Sequence, residues 1–152
     1  MFMKKLFLLP VLLFLLLASC KEEDAPTPDV NQVQLEGSWS TVTQELKYYN
    51  ASGQLMHAET DEKVTTFHFN APEVTTTYNT GTRTTCTYTS FQKNGNDYLQ
   101  FYHNGRLHDF EITSITGSAM SWQVRLEKAQ YGAGSTIKEA DHVIVTIGLS
   151  KR

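Results

Sequence analysis

The sequence predicts an all-β fold: an antiparallel up-and-down meander closed into a barrel of eight or nine strands. Three observations predict it. Threonine, valine, tyrosine and phenylalanine dominate the chain from Leu35 onward, and these residues fit pleated, half-buried surfaces. Turn stretches recur at short intervals, among them NASGQ, NAPE, NTGT, QKNGND, HNGR and ITGSA. No window repeats at helical spacing for three turns.

The first forty residues are of a different kind. The chain opens MFMKK and continues LFLLPVLLFLLLA, residues 6–18, without a charge. A basic start, a short apolar run and small residues at Ala18 and Ser19 describe an export signal, residues 1–19. The run is shorter than the roughly 20 apolar residues that cross a bilayer, and Pro10 interrupts it. It is apolar all round, so it lacks the one-sided face of a helix packed on a core.

Leu17-Ala18-Ser19-Cys20 resembles the lipobox of bacterial lipoproteins. The resemblance implies cleavage before Cys20 and acylation of both its thiol and its new amino group. One acyl chain binds a membrane marginally and two signals anchor stably, so a multiply acylated Cys20 is a stable membrane tether. The lipoprotein resemblance implies that the membrane is the outer one, with the domain facing the periplasm or the cell surface. Residues 20–34 follow as a spacer. KEEDAPTPDVNQVQ has two prolines, four acidic residues and few apolar side chains, the composition of a disordered linker. Its acidic cluster is either linker charge or, by resemblance, the surface-export signal of Bacteroidetes lipoproteins.

Residues 35–152 remain for one domain with one core. They carry ten Lys/Arg against twelve Asp/Glu, a balance of minus two, with no basic stripe for a nucleic acid. With Cys20 acylated, Cys86 is the only free thiol, and TTCTYT places it as a small buried hydrophobe.

Strands are expected at 38–49, 54–59, 63–70, 73–79, 82–91, 97–103, 106–115, 118–128 and 140–150, with a short helix allowed in the long connection 128–140. The hairpin DYLQFYHNGRLHDFEI is the best defined. Asn104-Gly105 supplies the positive φ angles of a two-residue turn, which pairs His103 with Arg106, Phe101 with His108 and Leu99 with Phe110. Tyr98, Gln100, Tyr102, Leu107, Asp109 and Glu111 then share the opposite face. In the next strand Met120, Trp122, Val124 and Leu126 face one way and Ser121, Gln123, Arg125 and Glu127 the other. The last strand aligns Val143, Val145, Ile147 and Leu149. Sequential one-sided strands make a meander, and closure hides its edges. A sandwich is the alternative, but no long crossover connection is evident.

Gly37-Ser38-Trp39, preceded by Leu35, resembles the opening motif of lipocalins and of the lipocalin-like lipoproteins of Bacteroidetes; FEITSITGSAMSWQV is similar to a hairpin of the same domains. The resemblance implies that Gly37 and Trp39 plug the closed end of the barrel, with Lys151 or Arg152 over the indole ring. The second and third lipocalin motifs and a disulfide are missing. A small hydrophobic ligand is implied by fold alone.

The chemistry classes are narrowed by spacing. His103 and His108 share a face, with His68 as a possible third ligand, but no His-x-His or His-x3-His spacing supports a metal. No cofactor motif and no catalytic constellation assembles, so the sequence points away from an enzyme. Phe101, His108, Phe110 and Trp122 are the candidate cavity lining, because adjacent strands aim them at one side. An eight-stranded barrel holds either packed side chains or one small ligand. Two functions therefore stand: a membrane-anchored barrel binding a small apolar or amphipathic ligand, or a filled barrel whose exposed Tyr48, Tyr49, Tyr98 and Tyr102 meet a protein or glycan.

Overall fold

The computed structural model describes residues 32–152. A single helical turn, α1 (Gln32–Leu35), leads into ten strands: β1 (Gly37–Tyr49), β2 (Leu55–Thr60), β3 (Thr66–Asn70), β4 (Glu73–Thr77), β5 (Arg83–Thr87), β6 (Thr89–Lys93), β7 (Asn96–His103), β8 (Arg106–Ile115), β9 (Ala119–Ala133) and β10 (Thr136–Lys151). The ladder order is β5-β4-β3-β1-β10-β9-β8-β7-β6, with β2 also on β1.

That order is an up-and-down barrel with two interrupted strands. β2 and β3 both run antiparallel to β1 along the same edge, β2 beside Glu45–Tyr49 and β3 beside Gly37–Ser40. They are one pass broken by residues 61–65. β5 and β6 are likewise one pass, joined at Tyr88; β5 pairs with β4, and β6 with β7. Counting each broken pass once, the ten segments make eight passes, and β1 closes on β10 from Trp39↔Lys151 to Tyr49↔His142. One seam, between β5 and β7, has no ladder. Side chains bridge it: the Cys86 thiol donates to Tyr102 O (3.5 Å), and Asn104 N donates to the Tyr78 hydroxyl (3.4 Å).

The break between β2 and β3 has a local cause. β1 carries a bulge between Thr41 and Thr43, which leaves Val42 exposed and switches the inward set from Trp39 and Thr41 to Leu46 and Tyr48. Asp61 N and Thr41 N tie the loop to it, donating to Gln44 O and Thr65 O. Gly148 faces the bulge, and any Cβ there would collide with Thr43 Oγ1.

Most expected strands are present, and the hairpin register is the one the Asn-Gly turn dictates, with Leu99↔Phe110, Phe101↔His108 and His103↔Arg106. Asn104 and Gly105 both have positive φ (50° and 75°). Two readings are corrected. Residues 128–140 form no helix: β9 and β10 continue as a hairpin paired through Ala133↔Thr136. Lys128, at φ 54°, shifts the alternation there, so that Tyr131 rather than Gln130 is buried. Tyr48 is not an exposed tyrosine; the bulge turns it inward to 5 % exposure, donating to Glu59 Oε1 (2.7 Å).

The core runs the length of the barrel. Phe67, Phe69, Leu99, Phe101, Phe110 and Trp122 are each at most 1 % exposed. Burying an aromatic side chain removes about 150–250 Å² from water, worth about 4–6 kcal/mol at about 25 cal/mol per Å². This ring cluster is the main stabilising unit.

Candidate functional site

One end of the barrel is sealed. Trp39 is fully buried where β1 begins, and its indole Nε1 donates to Leu35 O at 2.7 Å. Lys151, its ladder partner on β10, places Nζ 5.2 Å from the ring centroid and donates to Gln34 O at 3.3 Å. Gly37 sits at φ +109°, and a Cβ there would lie 3.2 Å from Lys151 Cε. The Gly-x-Trp spacing thus has a physical reason: the glycine lets the lysine stem pass over the indole. Arg152, the other cation the sequence offered, is exposed, and its N–H donates to Ser38 O.

The structure brings three of the four candidate lining residues together as packed core. Phe101 and Phe110 stack at 4.5 Å, Phe110 and Trp122 lie 5.1 Å apart, and Phe67 meets Trp122 edge-on at 5.0 Å. Phe69 closes the group, 6.4 Å from both Phe101 and Trp122. The rings occupy one another's contact distance, so this section of the barrel is filled with side chains. Trp122 Nε1 and Tyr88 OH have no hydrogen-bond partner among the described residues. Each carries a desolvation cost of about 1–3 kcal/mol that the packing has to offset.

Toward the other end lie His103 and His108, half-buried. Burial pushes the His103 imidazole down to about 4, and the neighbouring His108 adds to the effect. His108 is lowered as well, first by burial. Tyr78 stacks on His103 at 5.6 Å. His68 does not join them: it is exposed on β3, 2.9 Å from Ser38 Oγ. A convergent group arises instead at Glu127, Asp141 and His142, whose ligand atoms lie within 4.8 Å of one another. Arg125 occupies its carboxylates, with Nε 2.6 Å from Glu127 Oε1 and Nη2 3.7 Å from Asp141 Oδ2, and His142 Nδ1 lies 2.9 Å from Asp141 Oδ2. That arrangement is an ion-pair network.

A hollow lies at the barrel wall. The β8–β9 ladder runs from Ile115↔Met120 to Glu111↔Gln123 and stops there, so Arg106–Phe110 have no ladder partner in β9. Where the strands part, a groove of about 570 Å³ opens. Outward side chains of Tyr98, Gln100, Asp109, Glu111 and Gln123 form its polar walls, Leu107, Val124 and Ile144 its apolar patches, and Lys93 and Arg125 its basic corners. His108 reaches it too, alone among the four candidate lining residues.

The polar wall is ordered by its own hydrogen bonds. Gln100 Nε2 donates to Asp109 Oδ1 (2.7 Å). Glu111 accepts from Asn96 Nδ2 (2.9 Å), Gln123 Nε2 (3.1 Å) and the Tyr98 hydroxyl (3.3 Å). Burial, then the charge of Glu111, raises the Tyr98 phenol above its ordinary range, keeping it a neutral donor. The hairpin register read from the sequence puts Asp109 and Glu111 on one face. Their alternation with Tyr98 and Gln100 on one face of the hairpin was visible; the parting of β8 from β9 was not.

Cys20 and the segments at 1–19 and 20–31 lie outside the described residues. No protein-family model matches the chain, and neither a curated protein nor a solved structure is significantly similar to it.

Proposed function

We propose that the chain is a lipocalin-like lipoprotein, tethered to the outer membrane through acylated Cys20, that binds a small amphipathic molecule without chemical turnover. The ligand site is the groove between β8 and β9, with His108 the one candidate lining residue that serves it; Phe101, Phe110 and Trp122 are structural. One observation carries this reading: the barrel interior at those rings is packed, while about 570 Å³ stands open where the ladder ends. That volume falls within the roughly 300–1,000 Å³ of small-molecule sites. The tether is supported by the lipobox resemblance and by the spacer composition that follows it.

Two measurements test the proposal. Cells grown with an alkyne analogue of palmitate should label the wild-type chain and not Cys20→Ser; an unlabelled wild-type chain removes the anchor. Native mass spectrometry of the mature chain, extracted from its own host, should retain a small molecule that Leu107→Trp, a bulky side chain at the exposed groove rim, expels. A clean apo mass removes the binding site. A second reading has its own support: Tyr102 (57 % exposed) and Leu107 (49 %) pair across the β7–β8 hairpin and present an apolar tip to a protein partner.

A further inference from the structure

The chemistry of the groove selects among amphipathic ligands. Its charges cancel: Lys93 and Arg125 stand against Asp109 and Glu111, two positive and two negative. A charged ligand therefore meets no net attraction. The walls also oppose a fatty chain, since it would cover amides and carboxylates without replacing their hydrogen bonds, a costly desolvation.

What the walls offer is capacity in both directions. Gln100 and Gln123 each spend an amide N–H on a carboxylate, which fixes the amide plane. Each amide retains a second N–H and a carbonyl oxygen with two lone pairs. Asp109 Oδ2 accepts no hydrogen bond among the described residues, while Oδ1 holds Gln100. A row of fixed planar groups that both donate and accept matches hydroxyl groups, which do the same. Leu107, Val124 and Ile144 supply aliphatic patches between the polar walls, against which C–H faces can lie. Neutral charge, paired donors and acceptors, and short apolar strips together describe one ligand chemistry.

We infer that the β8–β9 groove binds a neutral, polyhydroxylated ligand, a short saccharide, with Gln100, Asp109, Glu111 and Gln123 reading its hydroxyls. The inference rests on the groove being the ligand site proposed above. An extended peptide added to the free edge of β8 is the competing occupant.

Saturation-transfer NMR on the acylated chain, held in a detergent without a sugar headgroup, tests this. The probes are maltotriose, cellotriose, triacetylchitotriose, decanoate and a penta-alanine peptide. At least one trisaccharide should receive saturation, and the Gln100→Ala/Gln123→Ala pair should weaken its affinity about tenfold, the loss expected for one or two hydrogen bonds. Gln92→Ala, whose side chain bonds Asp97 outside the groove, should leave it unchanged. If the double variant loses its fold, Leu107→Trp replaces it and should abolish the signal. Saccharide binding that survives Leu107→Trp lies elsewhere and overturns the inference. Decanoate or peptide binding without saccharide binding also overturns it, and leaves the groove itself as a site. Silence from every probe overturns both.

Discussion

Replacing Gly37 by alanine tests how the closed end is built. Two costs follow from the geometry. The backbone at φ +109° is one that L-residues with a Cβ rarely adopt, and holding one there costs about 1–3 kcal/mol. The new methyl would also lie 3.2 Å from Lys151 Cε, so the lysine must give way and its ammonium drifts from the Trp39 ring. Losing that cation–π contact costs a further 0.5–1 kcal/mol or so. The sum is about 1.5–4 kcal/mol. With a urea m-value of about 2 kcal/mol per M, the unfolding midpoint should fall by about 1–2 M. Repeating the change in a Lys151→Ala background separates the parts: the contact is already gone, so Gly37→Ala should cost about 0.5–1 kcal/mol less there. The assay is equilibrium urea unfolding followed by tryptophan emission. A Gly37→Ala midpoint indistinguishable from wild type would refute the strain argument. A cost that vanishes entirely without Lys151 would show that crowding alone, and not backbone conformation, requires glycine.

Three further outcomes are expected. Below neutral pH the two mouth histidines should destabilise the fold: an unfolded His103 binds its proton near 6.5 and the folded one only near 4, so stability is full above about 6.5 and is lost as pH falls toward 4. His108 acts in the same direction, and a His103→Asn/His108→Asn chain should show a flatter urea midpoint between those limits. Gly148→Ala should cost about 1–3 kcal/mol through its collision with Thr43 Oγ1, and Thr43→Ala should restore most of that in thermal unfolding. Phe110→Ala should cost about 3–5 kcal/mol by opening a void among Phe101, His103 and Trp122; a loss below 1 kcal/mol would mean the interior is not packed.

The parts of the fold legible in the sequence are those set by local rules. Asn104-Gly105 fixes its own turn, and the turn fixes the register of seven residue pairs from His103↔Arg106 to Asp97↔Ile112. The alternation of Met120, Trp122 and Val124 against Ser121 and Gln123 survives because those residues pair without a shift with Leu149, Ile147 and Val145. Reading failed where one residue breaks the alternation. The bulge at Val42 reverses the inner set of β1, so Tyr48 reads as exposed by strict counting and is buried. Lys128 does the same in β9, and the disturbed pattern around it imitates a connection able to hold a helix. The Gly-x-Trp pair was read by resemblance; only the position of Lys151 supplies its reason. The groove had no local signal at all, because it arises where the β8–β9 ladder stops at Glu111↔Gln123 and the strands part, a matter of how two strands pair rather than of any short stretch.

That separation divides the molecule into two energetic regions. Phe101, Phe110 and Trp122 lie behind the sheet, at most 1 % exposed, where truncation opens a void and acts on the folded population. Gln100, Asp109 and Glu111 lie in front of it on neighbouring strands, where truncation removes hydrogen bonds from a partly exposed wall and acts on a ligand. His108 touches both, packing 5.8 Å from the Phe110 ring while lining the groove. A His108→Leu change should therefore keep the contact with Phe110 and keep stability, yet weaken any ligand held at Gln100 and Asp109. A variant that lost stability without losing affinity would place the site away from the parted strands and return the barrel interior as its location.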